Sequence, residues 1–238
     1  MIKFIDKVLP ASRCQKTPDI YDTIADEFDR LAFEYENNRL SEWYKGHAEI
    51  IMKALPDSLS GCLLDIGCGT GWLLRQIVKS RNDITAIGID ISRKMIAAAR
   101  KAAVQEDVAD LDFLQGNWET LDLSILSGNN ISAVLCANAF HYFVDPGNAA
   151  RRMYQILNHS GQFFLLERDK ADSGLTIIWN ILHKYIIKDY VQFYQLSELN
   201  NFFQNAGFCK TLTQTKIRKL FWKKKLYTNM VLLSGQKI

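Results

Sequence analysis

The sequence predicts an α/β fold, an open and mostly parallel sheet with helices on both faces. Three observations predict it. From residue 62 to residue 167, short apolar runs of strand length alternate with longer segments whose apolar residues recur at helical spacing. The first run, Cys62–Ile66, passes into a turn with Gly67, Gly69 and Gly71 on alternate positions, and then into a helix carrying Trp72, Leu73, Leu74, Ile77 and Val78. Finally, Asp65, Asp90, Asn117, Asn138 and Glu167 fall at the carboxyl ends of five successive strands, where such sheets bind ligands.

Residues 1–18 carry a short amphipathic segment ended by Pro10, which either packs on the domain or forms a flap. From Asp19 to Leu55 the pattern is helical. Ile20, Ile24, Phe28, Leu31 and Tyr35 share one face, and Trp43, His47, Ile50, Ile51 and Leu55 another. After a linker at Pro56–Gly61 the core reads strand 62–66, helix 71–80, strand 84–90 and helix 92–105, the last with Ser92 as N-cap. Strand 111–116, strand 131–137, a helix through Ala149, Met153 and Ile156, and strand 162–167 follow. The alternation then pauses for an amphipathic segment, 169–194, and a helix from Ser197 to a stop at Gly207. Two final strands, 209–218 and 226–234, read as an antiparallel hairpin. One domain results, with a helical cover (1–55), a core (56–168), a cap and helix (169–208) and a closing hairpin (209–238).

The glycine spacing narrows the ligand. A dinucleotide site uses G-x-G-x-x-G to seat a pyrophosphate on a helix N-terminus. Here the pattern is G-x-G-x-G with Asp65 just before it, and a carboxylate there repels phosphate but holds an ammonium group. Asp90 closes the next strand roughly 20 residues on, as an acid that binds a ribose diol does. A ligand with a ribose, an ammonium and no phosphate is S-adenosylmethionine. Asp65-Ile66-Gly67-Cys68-Gly69-Thr70-Gly71 with Gly88-Ile89-Asp90-Ile91-Ser92 resembles the first two motifs of the class I S-adenosylmethionine-dependent methyltransferases. It is most similar to the small-molecule branch that includes the ubiquinone and menaquinone C-methyltransferases.

The resemblance implies a seven-stranded Rossmann-like sheet of order 3-2-1-4-5-7-6 with the last strand antiparallel, the N-terminal helices over the cofactor cleft, and a variable substrate cap after strand five. It implies that Gly67, Cys68, Gly69 and Gly71 line the turn under the methionine arm, with Asp65 on the ammonium, Asp90 on the ribose and Ile91 on the adenine. Asn117 stands where the family usually has an acid for the adenine amino group, and its side-chain oxygen still accepts from that group. Trp118 either stacks on the adenine or fills the core. Asn138 borders the methionine arm, and Tyr21, in Tyr21-Asp22-x-x-Ala25-x-x-Phe28-Asp29, lies near the methionine end unless its helix face is simply core.

Methyl transfer from a sulfonium needs in-line positioning and, for a hydroxyl acceptor, loss of a proton. His141, just past strand four, is the candidate base, with a pocket-shaping role as the bland alternative. His141, Tyr142, Glu167, Trp179, His183 and Tyr190 are the candidate acceptor contacts. Asn138-Ala139-Phe140-His141 is not the Asn/Asp-Pro-Pro-aromatic sequence used on base amines, and no set of acids suits magnesium. No metal is expected.

Composition agrees with one soluble enzyme. The chain has 238 residues, 48% of them hydrophobic, and a net charge of +3, too small alone to argue for nucleic acid. Five scattered cysteines, no signal-peptide core and no membrane-length apolar run point to a reducing, cytoplasmic setting. The oligomeric state is open. The basic run Lys216–Lys225, with Phe221 and Trp222, reads either as an RNA-binding hairpin or as a solvated turn whose lysines guard a sheet edge. The low net charge favours the turn. The alternatives to a small-molecule methyltransferase are therefore an RNA methyltransferase using that run and a non-catalytic, partner-binding version of the fold. A nicotinamide dehydrogenase is disfavoured by the glycine spacing and Asp65.

Overall fold

The central strand β1 (Gly61–Ile66) is buried along almost its whole length, as a run with a single acid requires. It pairs in parallel with β2 (Ile84–Asp90) on one side and β4 (Ile131–Ala137) on the other. In this computed structural model, which describes residues 19–36, 41–169, 191–208, 212–217, 220–222, 225–227 and 230–238, the sheet grows outward from that strand. Its order is β3 (Leu111–Gln115), β2, β1, β4, β5 (Gln162–Arg168), β9 (Met230–Gln236) and β6 (Thr213–Ile217). Only β9 runs antiparallel to its neighbours. This is the expected seven-stranded order.

Residues of each strand divide between two cores with the period of two that a pleated strand imposes. Cys62, Leu64, Ile66, Phe163 and Leu165 face α5 (Pro146–Ile156) and α6 (Leu196–Phe203). Leu63, Leu135, Phe164 and Leu166 face α2 (Ser41–Ala54), α3 (Trp72–Ser80) and α4 (Arg93–Gln105). The helix starts are set by side chains. Ser92 Oγ accepts from Met95 N at 3.0 Å, and Asp145 Oδ1 accepts from Asn148 N at 2.8 Å ahead of Pro146. α6 begins one residue before the expected cap, because Glu198 reaches back to Gln195 N at 2.6 Å.

The N-terminal cover differs from its apolar pattern. In α1 (Ile20–Leu31) Ile24 is buried, whereas Ile20 and Leu31 are exposed and Phe28 is half-buried, as is Tyr35 in the turn that follows. Polar bonds fasten this segment instead. Tyr21 OH donates to Glu119 Oε2 at 2.9 Å, and Asp29 Oδ1 accepts from Ser92 Oγ at 2.5 Å and Lys94 N at 2.9 Å. The fully buried Arg75 donates to both oxygens of Glu36 at 2.9 Å, to Glu106 at 3.1 Å and to Thr70 O at 2.5 Å.

The closing strands also differ from the expected pair. β6 and β9 are partners, but the segment between them holds a separate hairpin, β7 (Leu220–Trp222) with β8 (Lys225–Tyr227). Of the basic run, Lys216 and Ile217 end β6, Leu220–Trp222 form β7 and Lys225 opens β8, the residues between them lying outside what is described. Since β5 and β6 both run antiparallel to β9, the excursion leaves the sheet at the carboxyl ends of the parallel strands, and β7 comes beside α2. The expectations for residues 1–18, for the cap segment 170–190 and for the Trp43 side chain lie outside what is described. No helix among the described residues is long and apolar enough to cross a membrane.

The core under α6 is held by stacked aromatics. Phe163 and Phe203 lie 4.1 Å apart at 12°, both almost completely buried. Phe203→Ala is expected to cost about 3–5 kcal/mol of stability, read as a fall in the urea midpoint. An unchanged midpoint would contradict the packing described.

Candidate functional site

The carboxyl end of β1 delivers Asp65 and then the glycine turn. Gly67 and Gly71 have φ of 74° and 72°, the left-handed region that side chains avoid. A methyl at Gly67 would also collide with Ala139, and one at Gly71 with the Phe113 ring. Backbone bonds from Gly67 N and Cys68 N to Ile89 O, at 2.8 and 3.1 Å, lash the turn to β2. The carboxylate of Asp90 completes the tie, accepting from Gly69 N at 2.8 Å and from Ser92 N at 2.9 Å.

Two adjoining cavities open on this turn, with volumes of about 590 and 700 Å³. Asp65, Thr70, Trp72, Ser41, Tyr44 and Lys45 line the first. Tyr21, Phe28, Asp90, Ile91, Asn117 and Trp118 help to line the second. Tyr35, Gly67, Gly69, Ala137 and Asn138 border both. A single elongated ligand lying across the turn is thus flanked by both acids.

Those acids are charged at a cost. Burial and the nearby Asp90 push Asp65 up to about 7, and burial pushes Asp90 up to about 6 against the pull of its two backbone bonds. Asp65 Oδ1 is buried with no hydrogen-bond partner among the described residues. A ligand ammonium would satisfy that oxygen, so the residues present fit the methionine arm of S-adenosylmethionine. The Cys68 thiol is pushed up by burial and by both acids, which makes it a small apolar wall and not a nucleophile.

A second constellation stands at the ends of β4 and β5. His141 Nδ1 lies 2.9 Å from Glu167 Oε2, and Glu167 Oε1 accepts from Phe140 N at 2.9 Å. A carboxylate only accepts here, so Nδ1 donates, and in the neutral ring Nε2 is then the acceptor. The His141 ring lies 4.3 Å from Tyr142 and 5.1 Å from Phe193. Asn138, at φ 55°, places its amide Nδ2 2.9 Å from His47 Nδ1. Burial holds His47 down at about 4, so it is neutral and accepts from that amide.

Most of the expected residues converge, with three corrections. Tyr21 lines the cavity of Asp90 and Asn117 and not that of Asp65, because Glu119 holds its hydroxyl. Asn117 Oδ1 already accepts from Glu119 N at 2.9 Å, which leaves one lone pair for a ligand. Trp118 borders the cavity but is 2% exposed, with its indole N–H on Ala149 O at 3.2 Å and Arg152 over its ring, so it serves mainly as core. Gly71, His141 and Glu167 line neither cavity, whereas Tyr142 lines the second. Trp179, His183 and Tyr190 lie outside the described residues.

The sequence reading missed Glu119, Lys45, Tyr44 and the role of His47. Glu119 joins three segments, taking Tyr21 OH, Val144 N at 3.0 Å and Asp145 N at 2.6 Å. His47 shares its helix face with Ile50 and Ile51, so its spacing signals only core.

Comparison with known proteins follows this geometry. Residues 60–228 match the model of a family described as a methyltransferase domain. The chain is 28% identical over 99 residues to the malonyl-[acyl-carrier protein] O-methyltransferase of Halalkalibacterium halodurans, a match covering 42% of this chain and only 36% of that protein. It is 26% identical over 211 residues to the demethylmenaquinone methyltransferase of Lactiplantibacillus plantarum, covering 79% and 86%. In fold it resembles the magnesium protoporphyrin IX methyltransferase of Synechocystis with bound S-adenosylhomocysteine, at a TM-score of 0.68 and 17% identity, over 92% of this chain and all of that one. The matched stretch begins at β1 and runs into the β7–β8 hairpin, so the chain belongs to the methyltransferase-domain family and is an S-adenosylmethionine-dependent methyltransferase.

Proposed function

We propose that this enzyme methylates a small, partly hydrophobic organic acceptor, at oxygen or at an activated carbon. The roof of the cleft carries the reading. Tyr21, Ile24, Phe28 and Tyr35 border the cavity above Gly67, Gly69 and Asp90. Such a cover admits a small molecule and leaves little room for a folded nucleic acid. The demethylmenaquinone in the name of one relative agrees with an acceptor of that size, and the buried thiols of Cys62, Cys68 and Cys136 agree with a cytoplasmic setting.

In this reading Asp65 takes the ammonium, Lys45 the carboxylate, Asp90 the ribose hydroxyls, and Ile91 and Asn117 border the adenine. Bound there, S-adenosylmethionine supplies an electrophilic methyl on a cationic sulfur. The chain's own residues do the rest. Tyr142 and Phe28, edge to face at 5.2 Å, narrow the cleft and exclude water. His47 fixes the Asn138 amide against the cavity. Glu167 orients His141, whose Nε2 takes the proton from an acceptor hydroxyl or acidic carbon reaching it past Tyr142.

His141→Gln should lower the single-turnover rate by about 10²–10⁴-fold with little change in cofactor affinity. Full turnover with an unaltered pH profile would end the base role. The paired acids predict a second outcome. Their carboxyls are raised while no ligand is bound, and an ammonium or ribose hydroxyl favours the ionised forms. Binding of S-adenosylhomocysteine therefore releases protons, and affinity rises as pH increases from 5 to about 7. Calorimetry in buffers of different ionisation enthalpy measures that release, and Asp65→Asn should remove most of it. Affinity independent of pH over this range would refute the assignment.

A further inference from the structure

Consecutive residues at the end of β5 take opposite faces of the sheet. Glu167 continues the face of Phe163 and Leu165 and holds His141. Arg168 continues the face of Phe164 and Leu166, towards α2 and His47. Its guanidinium carbon lies 5.6 Å over the Phe193 ring, the same ring that stands 5.1 Å from His141. Gln192 N donates to His141 O at 2.9 Å, which fixes the segment that carries Phe193.

Arg168 differs from the other arginines of the core. Arg75 and Arg81 hold carboxylates, and Arg100 and Arg152 donate to the carbonyls of Phe113 and Leu121. Arg168 is half-buried yet makes no hydrogen bond or ion pair with any described residue. The neighbouring acid is committed elsewhere: Asp169 accepts from Leu196 N at 3.3 Å and pairs with Lys216 at 3.8 Å. A partly desolvated guanidinium left without an acceptor is costly, and its planar fork matches a carboxylate with two parallel bonds. The Arg168 charge already reaches this space, because it helps to hold His47 down.

We propose that the methyl acceptor is an organic acid, with an apolar body in the aromatic cleft and a carboxylate paired with Arg168. The inference rests on the methyl-transfer reading above for the word acceptor, and on Arg168 alone for the anion. Arg168 is then a specificity residue: it orients the acceptor by its acidic end so that the atom to be methylated lies towards Asn138 and His141.

The test titrates benzoate, and benzamide as its neutral counterpart, into the full chain loaded with S-adenosylhomocysteine. Binding is followed by calorimetry and by the Arg168 Nε resonance. Benzoate is expected to bind about ten-fold or more tighter than benzamide and to shift that resonance. Arg168→Gln should bring benzoate down to the benzamide level while leaving S-adenosylhomocysteine affinity unchanged and without lowering the thermal midpoint, since it removes an unpaired, half-buried charge, and Arg168→Lys should restore part of the preference. Equal binding of the two probes by the native chain, or a benzoate preference that survives Arg168→Gln, overturns the proposal. S-adenosylhomocysteine titrated alone separates the two layers. If it fails to bind while the Arg168-dependent preference for benzoate persists, the anion site stands and the methyl-transfer reading falls.

Discussion

The carboxylate of Asp90 is the joint on which this structure turns. One oxygen takes Gly69 N from the glycine turn and the other takes Ser92 N from the start of α4. The end of β2, the turn after β1 and a helix N-terminus are thereby held in register by one side chain. The same bonds stabilise the ionised form, yet burial still raises the group to about 6. A carboxylate held in this state has unfinished electrostatics that a ligand's hydroxyls can complete. Asp65, deeper and without even that backbone support, is further from its ordinary value and gains more from a cation. The charge distribution of the cleft is therefore a description of its ligand.

Legibility in the sequence followed the strength of local constraints. β1, β2, β4 and the Ser92 cap stood where the apolar runs and the cap chemistry put them, because buried parallel strands and helix starts are specified by neighbouring residues. The positions of Asp65 and Asp90 were legible for the same reason, since strand ends and glycine turns are local features. What was not legible depended on partners far away in the chain. Tyr21 reads as one more aromatic on a helix face until Glu119, 98 positions later, takes its hydroxyl. His47 reads as core until Asn138 supplies an amide. The β7–β8 hairpin was hidden because a run of lysines signals exposure but carries no register.

The cover illustrates how a polar fastening differs from an apolar one. A helix seated by a wide apolar stripe gains little from its exact position, whereas Tyr21, Asp29 and Glu36 each bond at a defined point on a different segment of the core. Arg75 matters most among these, because it is fully buried and Glu36 is one of the two carboxylates that offset its desolvation. The loop bearing Tyr35 is set over the glycine turn as a result, and Tyr35 borders both cavities. Placement of the roof is thus tied through Arg75 and Thr70 to the glycine turn beneath it.

The end of β5 shows why two adjacent polar residues there need not share one role. A strand offers its residues alternately to two faces, and at the carboxyl edge those faces lead to different neighbours. Glu167 is fully engaged, with both oxygens bonded, one of them to His141, and so serves to orient an imidazole. Among the described residues Arg168 is engaged only by the Phe193 ring, which leaves its donors for a ligand. Phe193 stands against both His141 and Arg168 and ties the two functions together in space. An acceptor bound by its acidic end at Arg168 would therefore be presented to an imidazole, that of His141, whose orientation is fixed from the opposite face of the same strand. Precision of that kind needs no additional element, only the two-residue period of β5.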